Sequence, residues 1–151
     1  IGAAQNRGME RALALGATIV TNQREIAAAD FFVGMYTTAL QEGELITAVR
    51  FPIPRKASYQ KFRQGASRFA LVGVFVAQTA SGVRVAVTGA ASSLFRQSAL
   101  EAALNQSVTA ASAAAVKVDA SDLGSDIHAS PVYRAQLISV LTQRAVKQML
   151  G

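Results

Sequence analysis

From Leu45 to Phe51 the chain alternates. Leu45, Thr47, Val49 and Phe51 fall on one side, and Ile46, Ala48 and Arg50 on the other. A period of two is the signature of a β-strand with two different faces. Pro52 and Pro54 end the strand, because proline donates no ladder hydrogen bond. Tyr59 to Gln64 reads as a further strand. Phe69 to Gln78 is almost continuously apolar, as expected of a central strand covered on both faces. Ser81-Gly82 marks a tight turn, after which Val83, Val85 and Val87 alternate again, so these two strands form an antiparallel hairpin. Upstream, Met9 to Leu15 has helical composition and Gly16 is placed to stop it. Ile1 to Gly8 is weakly patterned and reads as an irregular arm. Ala17 to Thr21 is β-prone, Asn22 and Gln23 suit a turn, and Arg24 to Ile26 returns as a second strand. Asp30 is a candidate cap for a short helical piece through Phe31 and Phe32.

After Gly89 the period lengthens to 3.6 residues. Ala99, Leu100, Ala103 and Leu104 share one helical face, and Ser107 to Val116 reads as an alanine-rich second helix. Asp119 to Ser130 is polar and loop-like. Ser130-Pro131 then opens a final helix, with serine as N-cap and proline in the first turn, and Leu137, Leu141, Ala145 and Met149 recur along it at i+4 spacing. Strands first and helices last predict an α+β two-layer sandwich: an antiparallel sheet packed against C-terminal helices.

Composition narrows the chemistry. The chain has 151 residues, 51% of them hydrophobic, which is enough for a folded core. It has no cysteine, which excludes thiolate metal sites, iron–sulfur ligation and disulfides within the chain. The formal charge of +6 favours acidic partners. The basic residues are dispersed, however, with Arg50, Arg55 and Lys56, then Lys61, Arg63 and Arg68, as the densest groups. No aromatics interleave with a Lys/Arg block, so no nucleic-acid partner is expected. The most apolar run, Phe69 to Ala77, is too short to span a bilayer, and a cytoplasmic location is expected. His128 is the only histidine, and a metal site or catalytic triad needs partners it lacks. Asp119, Asp122 and Asp126 do not have the spacing of a calcium loop. Gly65-Ala66-Ser67 suits either a hairpin turn or a close backbone approach to a ligand. No catalytic residue is read from the chain itself, so chemistry must come from a ligand, a partner or a further domain.

One resemblance sharpens this reading. Arg24-Glu25-Ile26-Ala27-Ala28-Ala29-Asp30-Phe31-Phe32-Val33-Gly34 is similar to the R-x-I-x-A-x-D-F-F-x-G segment of the medium, flavin-binding subunit of carbon monoxide dehydrogenase, xanthine dehydrogenase and related molybdenum hydroxylases. Thr38-Ala39-Leu40, Gly43-Glu44-Leu45-Ile46 and Phe51-Pro52 continue it. So do Tyr59-Gln60-Lys61-Phe62, Ser67-Arg68-Phe69-Ala70, Ser130-Pro131-Val132-Tyr133-Arg134 and Arg144-Ala145. The order and spacing of these pieces, from about Leu13 to Met149, carry more weight than any one of them.

The resemblance implies the C-terminal α+β half of such a subunit, with 1–23 as an irregular arm left from the link to an FAD-binding half and 24–151 as the domain proper. It implies FAD as cofactor. It also implies two partners, a large subunit with the molybdenum cofactor and a small 2Fe-2S subunit, whose electrons the flavin passes to an acceptor. Self-association into a homo-oligomer is a further expectation. By family position, Ile46 packs near the flavin ring, and a basic residue approaching the flavin falls on Arg63, or on Lys61 if the alignment slips. The family's Gly-rich FAD loops are absent from Ile1 to Glu10, and its acidic position there falls near Arg7. The alternative function is a non-catalytic module for docking subunits or for self-association.

Overall fold

From the N-terminus the chain runs through α1 (Gly2–Leu15), β1 (Thr18–Thr21), β2 (Glu25–Ala27), α2 (Ala28–Phe31), β3 (Phe32–Gly34), β4 (Thr37–Thr38) and β5 (Ile46–Arg50). It continues through β6 (Lys56–Arg63), β7 (Ala70–Thr79), β8 (Gly82–Thr88), β9 (Phe95–Arg96), α3 (Ser98–Gln106), α4 (Ala110–Ala114) and α5 (Pro131–Leu150). The computed structural model describes residues 2–34, 37–65 and 67–151. All strand pairings within them are antiparallel, in sheets ordered β2-β1-β5, β3-β4 and β6-β7-β8-β9. The α+β architecture and the hairpin of β7 and β8 follow the sequence pattern, and the strand read from Tyr59 to Gln64 is found as β6, beginning three residues earlier and ending one earlier.

β7 is the centre of the fold. Val72, Val74 and Val76 face α3, α4 and α5 together with Val83, Val85 and Val87 of β8. Against them pack Leu100 and Leu104 of α3, Ala113 of α4, and Leu137, Ile138, Leu141, Ala145, Val146 and Met149 of α5. The i+4 residues read from the sequence are thus the buried stripe of the last helix. Each such Val, Leu or Ile stabilises the fold by about 1.5–3 kcal/mol on burial. The other face of β7 carries Phe75 and Ala77, which pack with Ala86 under Leu13, Ala14 and Leu15 of α1. The sheet is therefore covered on both sides, and α1 adds a layer that the two-layer expectation did not include.

Local chemistry explains the boundaries. Gly16 adopts φ +66° and ends α1, with Gly16 N donating to Leu13 O and Ala17 N to Ala12 O. Ser130 caps α5, its Oγ accepting from Tyr133 N at 3.3 Å. Thr109, rather than Ser107, caps α4, its Oγ1 accepting from Ser112 N at 3.1 Å. Gly73 is needed for space, since a Cβ there would stand 2.6 Å from Tyr59 Oη and 2.9 Å from Thr88 Cγ2. Buried Glu101 of α3 accepts from Val85 N and from Arg96, which joins that helix to the sheet.

Three features depart from the sequence reading. The helix begins at Gly2, so residues 2–8 are helical rather than an irregular arm, and α1 is packed rather than loose. The run Ala3-Ala4-Gln5 favours helix and offers no breaker. Asp30 does not cap α2; the N-cap is Ala27, without a side-chain bond, and Asp30 sits in the first turn. The short strands β3, β4 and β9 are too brief to show a period. Of the earlier readings, those that fall on Ile1 and Ala66 lie outside the described residues.

Glu10 stands out within α1. It is fully buried, and neither carboxylate oxygen has a hydrogen-bond partner among the described residues. Burial pushes its carboxyl up to about 7, against the smaller opposing pulls of its own backbone amide, Arg11 and Lys61. The folded chain therefore holds this proton more tightly than the unfolded chain does. Below the ordinary value of 4.5 both states are protonated and nothing is lost; as pH rises from there to about 7 the folded state loses stability. Urea unfolding of the wild type should show this decline, worth about 3 kcal/mol, and Glu10→Gln should remove most of it. A variant with the same slope as wild type would contradict this account of Glu10.

Candidate flavin-facing surface

Two family-like segments twenty residues apart meet in one ion pair. Arg24 donates from Nε to Glu44 Oε1 at 3.0 Å and from Nη2 to Glu44 Oε2 at 3.1 Å, a two-pronged contact. Glu44 also accepts from Thr21 Oγ1 at 2.8 Å and from Gln41 N at 2.8 Å, and Arg24 Nη2 donates to Ala39 O at 2.6 Å. The Arg24 guanidinium, followed by the Gln41 amide and the Thr21 hydroxyl, holds the Glu44 carboxyl well below the usual range, at about 2. The adjacent Asn22 brackets Leu45, accepting from its N–H through Oδ1 at 2.9 Å and donating to its carbonyl from its own N–H at 3.0 Å. The polar knot therefore fixes the start of β5. The sequence reading singled out Arg24 and Glu44 as parts of motifs but did not pair them.

What the knot holds out is apolar. Ile46 opens β5, pairs with Thr21 across a register shift, and is 47% exposed. Leu45, Val49, Phe51 and Ile53 are also exposed, the last at 95%. β5 is the edge of its sheet, and all five of its residues are exposed. Exposed large apolar side chains on this strand and the segments flanking it suit a surface that is covered.

The other predicted residues lie on β6, in the second sheet. Lys61 is half-buried, pairs with Gly73, and its Nζ lies 3.5 Å from Arg68 O. Gly73 in turn pairs with Thr88, so Lys61 belongs to the sheet face that α1 covers. Arg63 is exposed at the end of β6 and pairs with Ala70 beyond a register shift between Phe62 and Arg63. An irregularity of this kind re-aims the residue that follows it. Lys61 and Arg63 are thus brought to one strand, and Ile46 is carried by the other sheet, with residues 51–55 joining β5 to β6.

Beyond Arg63, Gln64 borders a cavity of about 380 Å³. Gln64, Ser92, Asp126, His128 and Arg134 are among the residues that line it. Arg134, 4% exposed, donates from Nη1 to Leu71 O at 3.1 Å and Gly89 O at 2.7 Å, and from Nη2 to Asp126 Oδ2 at 2.7 Å. Asp126 also accepts from the backbone N–H groups of His128 and Ala129, which, with His128 the larger influence, lower its carboxyl. Asp119 is lowered likewise by the Ser121 backbone. These aspartates serve as loop caps, and the described residues hold no group of three or more His, Cys, Asp or Glu suited to a metal ion. Sequence reasoning placed His128 in a loop but did not foresee its contact with Gln64, because that pairing spans 64 residues.

Comparison with known proteins gives this surface a context. Residues 10–54, which include the Arg24–Glu44 knot and Ile46, match the family described as FAD binding domain in molybdopterin dehydrogenase. The chain is 35% identical over 84% of its length to the nicotine 6-hydroxylase medium subunit of Paenarthrobacter nicotinovorans, covering 48% of that protein. It is 31% identical over 90% of its length to the glyceraldehyde dehydrogenase medium chain of Sulfolobus acidocaldarius, covering 54% of it. Its fold matches the structure of reconstituted CO dehydrogenase from Oligotropha carboxidovorans with a TM-score of 0.77 at 24% identity, over 93% of this chain and 55% of that one. The chain spans about half the length of the curated relatives it matches. The chain is thus a relative of the medium subunits of molybdenum hydroxylases and dehydrogenases, and its residues 10–54 resemble the FAD binding domain of molybdopterin dehydrogenases. No described helix is long and apolar enough to cross a membrane.

The Glu44 knot has a measurable pH signature. Its carboxyl is lowered in the folded state, so the stability it contributes is present above the ordinary value of 4.5 and lost as pH falls toward about 2. Acid unfolding followed by circular dichroism should show Glu44→Gln to be less stable than wild type at pH 7, with the gap closing below pH 4.5. A gap that persists unchanged at pH 2 would contradict the charge-based role of this residue.

Proposed function

We propose that this chain forms one wall of the flavin site in the FAD-binding subunit of a molybdenum-dependent hydroxylase or dehydrogenase. The observation that carries the reading is the position of Ile46. It is exposed, set by a polar knot, and inside the segment that matches an FAD-binding family. The residues suit the ring end of FAD. Ile46, with the exposed apolar residues on and around β5, can cover a flat isoalloxazine and exclude water, and the exposed Arg63 can offset negative charge on a reduced ring. Lys61 is the second candidate for that cation. The diphosphate end calls for Gly-rich loops that this sequence does not contain, so its grip belongs to protein outside this chain.

Flavin, when bound, supplies the exchange of electrons between one-electron and two-electron partners. The chain's own part is to shelter the ring and set its charge environment. In the proposed assembly a molybdenum-cofactor large subunit and a 2Fe-2S small subunit, in the cytoplasm, deliver the electrons, and an acceptor removes them. Within this proposal, 24–151 is the domain body, and 1–23 leads to it from the flavin-gripping half as a packed helix and strand. The exposed strip along β5 also favours a docking role, toward that half or a second copy, which is compatible with the same assembly.

Titration of the isolated chain with FAD, followed by flavin fluorescence, should give weak or no saturable binding. Tight stoichiometric binding would show that the grip resides here after all. Purification of the native protein from its host should bring down molybdenum and iron–sulfur subunits. Recovery without either would contradict the assembly.

A further inference from the structure

The end of β6 is held from across the molecule. The Arg134 guanidinium is nine-tenths buried and anchored to the carbonyls of Leu71 and Gly89 at the mouth of the sheet. Through Asp126 it pins the loop 126–129, since Asp126 Oδ1 accepts from His128 N at 2.9 Å and Ala129 N at 3.0 Å. From that pinned loop the His128 ring reaches out, and its Nε2 lies 2.6 Å from Gln64 Nε2. Gln64 directly follows Arg63.

The hydrogens in this chain of contacts can be assigned. Ser67 Oγ accepts from Phe69 N at 3.3 Å and donates its own hydrogen to Gln64 Oε1. With Oε1 turned to Ser67, the amide nitrogen of Gln64 faces His128, and an amide nitrogen only donates. In that arrangement His128 Nε2 accepts, which is the tautomer with its hydrogen on Nδ1. Gln64 in turn closes a turn that is not relaxed. Gln64 N donates to Phe69 O at 2.9 Å and Arg68 N to Gln64 O at 3.0 Å. Arg68 sits at φ +59°, the one non-glycine residue with positive φ among those described. Such a conformation persists when surrounding bonds over-determine it.

We propose that His128 is a positioning residue for Arg63: its ring, presented by Arg134 and Asp126, holds Gln64 and so fixes the strained turn that aims the Arg63 guanidinium. The functional consequence rests on the flavin-facing reading of Arg63 given above. The positioning itself does not.

Three measurements test it. Ring-nitrogen NMR of the chain at pH 8 should show His128 with its hydrogen on Nδ1; a hydrogen on Nε2 would overturn the assignment. In His128→Ala the amide hydrogen exchange of Gln64 and Arg68 should speed up about fivefold, as expected for loss of one hydrogen bond. Unchanged exchange there would overturn the positioning role. In the assembled flavin-containing protein, His128→Ala should lower the flavin reduction potential in the same direction as Arg63→Ala, with no further shift in the double variant. Additive shifts would overturn the route through Arg63. If Arg63→Ala alone leaves the potential unchanged, the flavin-facing reading of Arg63 fails, and the NMR and exchange results still decide whether His128 sets the turn.

Discussion

The structure depends on a strand that is covered twice. β7 presents Val72, Val74 and Val76 to the C-terminal helices and Phe75 and Ala77 to α1, so neither face can be left to water. A strand of this kind needs a helix on each side, and the chain supplies one from each end. α1 and α5 are therefore fixed relative to each other through the sheet. Whatever precedes and follows the strands in sequence is drawn onto one body. The same constraint carries the site residues. β6 pairs along nearly the whole of β7, and its last residue is set by that pairing.

Around this body the polar contacts are few and specific. Arg24 with Glu44 fixes the start of β5; Glu101 with Arg96 and Val85 N fixes α3 on β8; Arg134 fixes the open end of the sheet. Each is a partly or fully buried charge with several partners, the arrangement in which an ion pair specifies geometry more than it adds stability. Glu10 is the exception: it is buried without a partner among the described residues, and its proton is its only compensation.

Much of the fold was legible because it is written in short-range periods. The alternation at Val83, Val85 and Val87, the continuous apolar run of β7 and the i+4 series from Leu137 to Met149 each state their own burial. Ser130-Pro131 and Gly16 mark helix ends by local chemistry alone. What could not be read was non-local or unpatterned. The helical start at Gly2 has no apolar period to announce it. The second covering layer became visible only when Leu13 and Leu15 were seen against Phe75 and Ala86. At the site, Ile46, Arg63 and Lys61 could be named through family position, but Arg24 with Glu44, and Gln64 with His128, are pairings between segments that only the fold brings together.

In the proposed site, two sheets would present different things to one ligand: an apolar edge at Ile46 and a cation at the end of β6. The most direct test is the structure of the flavin-bound protein that contains this chain. The account predicts the Ile46 side chain in van der Waals contact with the isoalloxazine, within about 4 Å, and the Arg63 guanidinium on the same ring. A ring seated elsewhere, with Ile46 and Arg63 facing away from it, would contradict it.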